Sequence, residues 1–442
     1  MDTIVACATA WGRSAIAVVR LSGPDTQRIL DSVVRPVGGF PPPRRARLAV
    51  FFDESGDFDE GLLTFFEAKA SYTGEASAEL SCHGNPLLVE RLIAACVSQG
   101  ARIANAGEFT RRAFLHGRLD LTRAEAVLQA IEASSPEGLR VARSGLRGEV
   151  QSLVDSMRSS LTDAIAEMEA RLDYPGEDLV FEEDQQLVSR LENLANQSEA
   201  AAASYRSGRV LIEGATVALV GPVNAGKSSL FNALGGSERA LVSEIPGTTR
   251  DVIERQVQMG SVRIRLLDTA GDREADGLEA AGIEMGRRLT EEADLLLVVI
   301  PAHALHLGEA ILKRTEGRNR VIVANHADRL TSPSLDLKEE ALLVSAQTGS
   351  GLEALTSMIS ETLVGELPGG ASLIIASQRQ RDLLLGVARH VREALDAYRG
   401  PAGLAVASEG LYAALEPLDA MIGRDSREAV LDALFSRFCI GK

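Results

Sequence analysis

A glycine-rich segment of the chain, Gly221–Ser228, has the residue types and the spacing for phosphate chemistry. It matches the pattern G-x-x-x-x-G-K-[ST] and comes directly after an apolar run, Val217–Val220, that is typical of a buried strand. In this pattern backbone N–H groups surround the phosphates, the lysine ammonium reaches the β- and γ-phosphates, and the hydroxyl binds Mg²⁺. We therefore assign these two roles to Lys227 and Ser228. A chance glycine-rich turn is the alternative, but the strand before the segment and the helical pattern after it argue against one.

Two motifs downstream can complete the metal and phosphate sites. Gly247–Arg250 supplies a threonine that can join the metal shell, and Asp268–Gly271 follows the apolar strand Ile264–Leu267. The second motif places a carboxylate near Mg²⁺ and the Gly271 amide near the γ-phosphate. Either string alone is common in ordinary loops, so the indication comes from their order along the chain.

Two later motifs can read the base of a nucleotide. Asn325–Asp328 follows the strand Val321–Ala324, and its Asp328 carboxylate can accept the two N–H donors that guanine presents and adenine lacks. Ser345–Ala346, after the apolar run Leu342–Val344, can touch the base from the other side. The ordered set, with its members at strand ends, predicts a guanine-nucleotide hydrolase of the Ras-like α/β class. ATP is the alternative, and the base-reading loop argues against it.

Two positions depart from the usual pattern of such GTPases. His326 stands where the base loop usually has a lysine, whose stem packs along the nucleotide, and an imidazole can stack there instead. Asp272 stands where a Ras-type enzyme has a water-orienting glutamine, and a carboxylate cannot donate to the developing charge. Glu279, downstream in the same loop, is a candidate to position the attacking water. From the residues alone, an ordinary solvated carboxylate is the stronger interpretation of Glu279. A monovalent cation held by the Asn224 carbonyl can supply the positive charge.

Three further groups outside the nucleotide motifs can do chemistry. An arginine cluster near Gly107–Asp120 can bind a carboxylate or a phosphate, with a salt-bridged helix as an equal alternative. Its members are Arg111, Arg112, Arg118 and Arg123. His83 can be catalytic, although a hydrogen-bonded structural histidine is the stronger interpretation. Cys439, in the C-terminal tail Phe438–Lys442, can be a nucleophile or a small buried hydrophobe, and its spacing does not decide between them.

The composition limits the classes of protein and of partner. The 442 residues suggest about three domains, and a hydrophobic content of 45% argues against wholesale disorder. Lys and Arg total 46 against 62 Asp and Glu, which gives a formal net charge of -16. That balance disfavours a protein that holds nucleic acid mainly by a global positive field, and it is compatible with a local basic patch.

The cysteines and the apolar runs indicate the compartment. The four cysteines are scattered, form neither a metal-ligand pair nor a disulfide framework, and fit a reducing, cytoplasmic compartment. The N-terminus has no basic region before its small apolar residues, so we reject a signal peptide. The strongest apolar run, Leu295–Ile300, ends at Pro301 and is far shorter than the roughly 20 residues that span a bilayer.

The pattern of apolar residues divides the chain into regions that position these groups. Residues 1 to about 117 mix strand and helix signals, as in an α+β module, and Ala76–Cys82 alternates as a half-buried strand. From Leu119 the pattern is helical, with one long amphipathic stripe from Leu146 to Leu172. Strand and helix signals alternate from Thr216 to about Ala376, and helical patterning then resumes. The simplest account is a helical domain interrupted by an inserted α/β domain.

The motifs of all three regions together resemble one family. They are Ser71–Glu75, Ser81–Gly84, Gly107–Phe114, the GTPase set and the terminal Phe438–Lys442. On these motifs the whole chain resembles the MnmE (TrmE) family of tRNA modification GTPases, in the TrmE-Era-EngA-like GTPase class. The resemblance spans the chain and is more specific than a likeness to GTPases in general.

The resemblance implies a multidomain fold. It consists of an α+β N-terminal folate-binding and dimerisation domain (1–117), an all-α helical domain in two parts (118–209 and 377–442), and an inserted Ras-like α/β P-loop GTPase domain (210–376). The second helical part ends in a Cys-Ile-Gly-Lys tail.

The resemblance also implies an activity and its partners. The family is a K⁺-stimulated GTPase that works as a homodimer with the FAD-dependent partner MnmG (GidA), in a heterotetramer-like complex and away from membranes. Together they add an aminomethyl or carboxymethylaminomethyl group to C5 of the wobble uridine of certain tRNAs. Besides GTP, Mg²⁺ and K⁺, the family uses a reduced folate, 5-formyl- or 5,10-methylene-tetrahydrofolate, as the one-carbon donor.

The resemblance assigns roles to particular residues. Folate contacts fall on Arg20, Glu79, Arg118 and Lys442; K⁺ contacts fall on Asn224, Ser243, Ile245 and Thr248; and Mg²⁺ contacts fall on Ser228 and Thr249. The catalytic candidates are Glu279, which orients water, with Lys227, Thr249, Arg250 and Cys439. The GTP-binding candidates are Asn224, Ala225, Gly226, Lys227, Ser228, Ser229, Ser243, Glu244, Ile245, Pro246, Gly247, Thr248, Thr249, Asp268, Thr269, Ala270, Gly271, Asn325, Asp328, Ser345 and Ala346.

Two other functions stay open at this point. The first is a ribosome- or RNA-associated GTPase switch without base chemistry, which explains the GTPase motifs but neither the terminal Cys439–Lys442 nor the folate-like first domain. The second is a folate-dependent methyl or aminomethyl transferase in which GTP is merely regulatory.

Overall fold

The computed structural model of the protein describes residues 2–173, 184–236, 252–269, 291–330, 340–365, 373–424 and 428–442. The strands are β1 (Ile4–Cys7), β2 (Ile16–Ser22), β3 (Val34–Pro36), β4 (Arg47–Asp53), β5 (Gly56–Phe66), β6 (Ser77–His83), β7 (Arg102–Ile103), β8 (Ala215–Val220), β9 (Val252–Met259), β10 (Val262–Thr269), β11 (Leu295–Pro301), β12 (Arg320–Asn325) and β13 (Leu342–Leu343).

The helices fall between and after these strands. They are α1 (Thr26–Val33), α2 (Pro86–Ser98), α3 (Glu108–Leu115), α4 (Leu121–Glu132), α5 (Pro136–Leu146), α6 (Glu149–Asp173), α7 (Asp184–Ala203), α8 (Tyr205–Glu213), α9 (Lys227–Gly235), α10 (Glu309–Arg314), α11 (Leu352–Val364), α12 (Gln378–Arg399), α13 (Gly403–Ile422) and α14 (Glu428–Phe435). Short 3-10 turns lie at Ala68–Ala70, Leu305–Gly308 and Ala327–Arg329. Among the described residues, no helix is both long and apolar enough to cross a bilayer.

One compact unit comprises Met1–Leu128, Leu146–Asp155 and Leu418–Lys442. Its described strands form a sheet in the order β3-β4-β5-β6-β2-β1-β7, antiparallel except where β1 runs parallel to β7. On one face, α1 and α2 bury apolar side chains against β2, β4 and β6. The alternation predicted for β6 is confirmed, because Ala78, Leu80 and Cys82 are buried in this core.

The same unit contains the end of the chain. Helix α14 and the residues after it form a second apolar cluster with α4, in which Leu121, Leu128, Phe435 and Phe438 are buried. A third, smaller cluster joins Phe109 of α3 to the outer face of β1. These two clusters hold the C-terminal segment against the sheet that carries Arg20 and Glu79.

The other compact unit comprises Gln129–Gly145 and Ser156–Pro417. Its described strands form a sheet in the order β13-β12-β11-β8-β10-β9, parallel except that β9 is antiparallel to β10. Helices α8, α9 and α11 pack on one face of this sheet, and α10 packs on the other. Both faces are covered, which explains why β8, β11 and β12 are almost continuously apolar. This is the predicted Ras-like α/β fold.

Long helices complete this second unit. Helices α7 and α12 pack along each other, and the Ser198 hydroxyl donates to the Leu384 carbonyl at 2.8 Å. The predicted single stripe from Leu146 to Leu172 is wrong at its ends, because Leu146 closes α5, α6 begins at Glu149, and both stripe-end leucines are 39% exposed. Between them, α6 is the predicted amphipathic helix, with Met157, Leu161 and Met168 buried.

Candidate functional site

The phosphate-loop segment joins the buried end of β8 to α9, as the sequence predicts. Lys227 is the first residue of α9, is only 8% exposed, and its Nζ donates to the carbonyls of Gly221 at 2.8 Å and Pro222 at 3.0 Å. Ser228 and Ser229 follow in the first turn and are exposed, and Asn224 is an exposed residue with φ 63°. The N–H groups at the start of a helix favour an anion at this position.

Gly226 is the point where the base loop meets the phosphate loop. Its φ is +84°, and a Cβ built on it would lie 2.3 Å from Asn325 Nδ2 and 2.8 Å from His326 Nε2. A side chain would therefore suffer both backbone strain and a clash with the base loop. The second glycine of the motif is required here by this close approach.

Asn325, at the end of β12, connects three of the predicted motifs. It is fully buried, and its Nδ2 donates to the carbonyl of Ala225 at 3.0 Å and to that of Gly226 at 3.4 Å. Its Oδ1 accepts the N–H of Ala346 at 3.1 Å. The amide thus holds the phosphate loop, the base loop and the Ser345–Ala346 loop in one arrangement, a bracing role that the motif did not reveal.

Asp328 presents an ionised acceptor beside this brace. The Ser345 hydroxyl donates to Asp328 Oδ1 at 2.5 Å, and this hydrogen bond lowers the pKa of the Asp328 carboxyl. The group is solvent-exposed, so its second oxygen and remaining lone pairs face outward. Such a carboxylate can accept paired N–H donors from a base, as the sequence predicts.

Asp268 lies near the end of β10, beside β8 in parallel register with Leu219. Asp268 is 7% exposed, and its partner Leu219 is two residues before Gly221, where the phosphate loop begins. The Asp268 carboxylate and the Ser228 hydroxyl are hard oxygen donors, which suit Mg²⁺. The donor set at this edge of the sheet therefore fits the predicted metal.

Several predicted site residues lie outside the described part of the chain. They are Ser243, Glu244, Ile245, Pro246, Gly247, Thr248, Thr249, Arg250, Ala270, Gly271 and Glu279, together with Asp272. Thr269 closes β10, and its side chain is likewise outside the description. Their assigned roles stay predictions.

A second candidate site lies on the sheet of the first unit, where β2 and β6 are neighbours. Arg20 and Glu79 face each other in register, and the guanidinium donates twice to Glu79 Oε1, at 3.1 Å and 2.7 Å. The guanidinium lies 5.7 Å from the centre of the Phe109 ring and also donates to the carbonyl of Gly441 at 3.4 Å. Phe109 lies in the Gly107–Phe114 motif, but the resemblance does not assign it to the folate site.

The C-terminal tail is docked at this arginine. Ile440 forms an isolated antiparallel bridge with Ala106, and the N–H of Phe109 donates to the carbonyl of Lys442 at 3.1 Å. The structure therefore brings the backbone of the tail to the Arg20–Glu79 pair, with Lys442 directly after the contacting Gly441. Arg118 makes no contact with these residues among the described contacts; its Nη1 donates to the carbonyl of Lys69 at 3.4 Å.

Gly441 allows this docking, and its replacement gives a testable prediction. Its φ is +98°, and a Cβ on it would lie 2.1 Å from the carbonyl oxygen of Cys7. Gly441→Ala should release the tail, so amide hydrogen exchange at Phe109 should accelerate at least about tenfold. Gly56→Ala is the matched control, since Gly56 has φ +109° but no atom within 4 Å of the added Cβ. Unchanged protection of Phe109 in Gly441→Ala would contradict the docked tail.

Cys439 is an exposed thiol in the docked tail. Its carbonyl accepts the N–H groups of Lys442 at 3.3 Å and Gly107 at 3.5 Å, which fixes the backbone while the side chain faces solvent. The alternative of a buried small hydrophobe is therefore wrong.

The predicted arginine cluster is an ion-paired set of side chains and not an open basic patch. Arg112 is buried with a side chain 4% exposed, and it pairs with Asp2, Glu75 and Glu108 at 2.8–3.0 Å. Arg111 pairs with the exposed Glu428 and Asp432 on α14 at 3.2 and 3.3 Å. Arg123 lies 3.5 Å from Asp120. The salt-bridged alternative therefore holds for these three, and Arg118 is the exposed member.

The contrast between Arg111 and Arg112 predicts different costs for the same substitution. Arg112→Leu should lower the free energy of unfolding by about 3 kcal/mol, because it takes the buried Arg112 from the Glu75 carboxylate and leaves Glu108 with Arg102 alone. Arg111→Leu should cost less than about 1 kcal/mol, since its partners are exposed. Urea unfolding followed by circular dichroism measures both. Equal costs would show that burial does not distinguish the two pairs.

His83 is a hydrogen-bonded structural histidine, as the stronger interpretation predicts. Its Nδ1 lies 2.6 Å from Asp59 Oδ1, and its backbone N–H donates to Asp59 Oδ2 at 3.0 Å. The ring is 69% exposed and the Asp59 side chain only 6%, so the pair fixes the end of β6 against β5.

Comparison with known proteins gives matches over the whole chain. The family model described as GTP-binding protein TrmE N-terminus matches residues 3–118, and the one described as MnmE helical domain matches residues 121–439. The tRNA modification GTPase MnmE of Thermotoga maritima is 37% identical over 454 residues, with 100% of both chains covered. That of Akkermansia muciniphila is 39% identical over 448 residues, with 100% of this chain and 99% of the relative covered.

A solved structure matches a smaller part. The G domain of the Thermotoga maritima FeoB iron transporter is 28% identical, with 34% of this chain and 98% of that chain covered. Its TM-score of 0.27 is too low to support a conclusion.

The loops at the edge of the second sheet define the class: this enzyme is a P-loop GTPase. Two family models and full-length relatives identify the family more closely. The chain belongs to the MnmE family of tRNA modification GTPases.

Proposed function

We propose that this GTPase acts in tRNA modification and couples GTP hydrolysis to the addition of an aminomethyl or carboxymethylaminomethyl group at C5 of the wobble uridine. An FAD-dependent partner, MnmG, completes the reaction. The observation that carries this proposal is family membership over the full length, since the relatives are named tRNA modification GTPases and align with 100% of this chain. A GTPase domain alone would not carry it.

The nucleotide half of the proposal rests on the second unit. Lys227 and the first turn of α9 bind the phosphates, Asn325 holds the loops together, and Asp328 accepts the N–H donors of guanine. Ser228, Asp268 and Thr249 would hold Mg²⁺, which would neutralise charge on the β- and γ-phosphates. The other phosphate- and base-contacting residues of this proposal are the GTP-binding candidates that the family resemblance assigns.

Hydrolysis is proposed to use charge and water orientation from outside the Ras-type pattern. Glu279 orients the attacking water, Arg250 assists, and K⁺ is held by Asn224, Ser243, Ile245 and Thr248. The exposed Asn224, with its left-handed backbone in the phosphate loop, supports only the first of these ligands. Comparing GTPase rates in K⁺ and Na⁺ tests the role of the cation. Equal rates in the two salts would contradict a K⁺-stimulated mechanism.

The folate half rests on the first unit. A reduced folate carries N–H donors on its pterin ring and carboxylates on its tail. The Glu79 carboxylate can accept from the N–H donors of the pterin ring. The cations Arg20, Arg118 and Lys442 can pair with the carboxylates of the folate tail. The docked tail supports Arg20 and Lys442 as neighbours, because the Gly441 carbonyl accepts from Arg20 and the Lys442 carbonyl accepts the N–H of Phe109, whose ring lies beside Arg20. The same segment fixes the backbone of Cys439. Cys439 is proposed to take part in the one-carbon chemistry.

The organisation of the complex is part of the same proposal. The domains are residues 1–117, 118–209 with 377–442, and 210–376, and two chains pair through the first domain. Four free cysteines suit a reducing, cytoplasmic setting. The formal net charge of -16 and the ion-paired arginines leave tRNA contacts local or shared with the partner.

Reconstitution tests the proposed function. The purified chain, its FAD-dependent partner, unmodified tRNA, a reduced folate, ammonium or glycine as the amine donor, and GTP should together yield the modified wobble uridine, detected by nucleoside mass analysis. Omitting GTP or the folate should abolish product. Full product without the folate would exclude the folate role, and no product in the complete mixture would favour a GTPase switch without base chemistry.

A further inference from the structure

Two histidine rings lie together beside the phosphate loop, and neither the motif pattern nor the proposed function uses both. His303 follows β11, two residues beyond Pro301, and His326 follows β12 in the base loop. The two ring centres are 5.6 Å apart with an angle of 32° between the planes. That geometry is within the range of attractive ring pairs.

His326 in turn packs on the phosphate loop. Its backbone is left-handed, with φ 65°, and its Nε2 comes close enough to Gly226 that a Cβ there would lie 2.8 Å away. Its Nδ1 is buried and makes no hydrogen bond to any residue that the structure describes. A buried ring nitrogen without a protein partner is available to a bound ligand.

The surroundings of His326 favour a neutral ring. Burial lowers the pKa of this imidazole, and Arg329 and His303 lower it further, against an opposing effect of Asp328. A neutral imidazole cannot replace the charge of the lysine usually found here, so it must act through its ring face and its free nitrogen.

We propose that His303 is a positioning residue for nucleotide binding, which holds the His326 ring on Gly226 so that the two rings together take the place of the usual lysine. The proposal rests on the assignment of Asn325–Asp328 as the base-reading loop. It concerns affinity for the nucleotide and not the hydrolytic step, because neither ring lies in the segment assigned to water orientation.

The direct test is GDP affinity and GTPase kinetics of ring variants. His303→Ala should weaken GDP binding about three- to tenfold and raise the KM for GTP by the same factor, with kcat changed less than about twofold. His303→Phe, which keeps a ring, should restore binding to within about twofold of the native chain. His306→Ala is the matched control, an exposed histidine three residues further along the same loop.

A double-mutant comparison shows whether His303 acts through His326. In a His326→Ala background, adding His303→Ala should not weaken GDP binding further. In a His326→Lys background, the residue at position 303 should no longer affect GDP binding. Native-like GDP binding by His303→Ala, or an equal loss in all backgrounds, would overturn the proposal while leaving the nucleotide site intact. A native chain that bound neither GDP nor GTP would overturn the site assignment, and this proposal with it.

Discussion

Lys227→Ala should reduce GTP hydrolysis by about a hundred- to a thousandfold. The native ammonium is almost fully buried at the start of α9, where it donates to the carbonyls of Gly221 and Pro222. These carbonyl contacts hold the cation within the loop that surrounds the phosphates. Alanine removes the charge that stabilises the transferred phosphoryl group.

The loss is measured as kcat/KM for GTP under saturating Mg²⁺. Lys313→Ala is the matched control, since Lys313 is an exposed lysine on α10 of the same unit and should keep native activity. A Lys227→Ala enzyme with near-native turnover would contradict the assignment of Gly221–Ser228 as the phosphate loop.

Asp328→Asn should change which base the enzyme accepts. The native carboxylate accepts both N–H donors of guanine, whereas an asparagine amide can accept one and must donate the other. The variant loses a charged hydrogen bond and sets the asparagine N–H against an N–H of guanine. GTP binding should therefore weaken at least about a hundredfold. Xanthosine triphosphate has an oxygen in place of the guanine amino group, so it should bind the variant better than GTP does.

This exchange contains its own control for folding. A misfolded variant would lose both nucleotides, whereas the expected variant loses GTP and gains xanthosine triphosphate. The Ser345 hydroxyl can still donate to the asparagine carbonyl, so the loop should keep its shape. Competition binding with the two nucleotides gives the ratio. A variant that kept its preference for GTP would show that Asp328 does not read the base.

The phosphate loop could be predicted from sequence because its parts are local. Strand, glycine-rich loop, lysine and helix follow within about twenty residues, and each residue type has a single role at its place. The brace made by Asn325 could not be predicted, because its amide joins Ala225 to Ala346, which are far apart in the chain. Nor could the contact between the tilted His303 and His326 rings, since two separate strand ends bring these rings together.

Charge patterns were less informative than phosphate motifs. Arg111 and Arg112 are adjacent in sequence, yet one faces exposed acids on α14 and the other is buried among three carboxylates. Successive residues of a helix point about 100° apart, so a cluster of arginines does not define one surface. Asp2, a partner of Arg112, lies 110 residues away in sequence, and no local pattern predicts this pairing.

The docked tail shows the same limit over the longest distance. Arg20 and Gly441 are separated by 421 positions, and only the folded sheet brings them together. The resemblance to the family assigned Arg20, Glu79, Arg118 and Lys442 to one site; the structure pairs Arg20 with Glu79 and brings Gly441, the neighbour of Lys442, to Arg20. It leaves Arg118 beside Lys69.

Nucleoside mass analysis of tRNA from a strain lacking this gene shows directly whether the protein acts in wobble-uridine modification. Complementation with the native gene should restore the modified wobble uridine, and complementation with Lys227→Ala should not. Arg20→Ala should also fail, although its GTPase rate stays native, because Arg20 lies in the other unit. A deletion strain with unchanged wobble uridines would contradict the account.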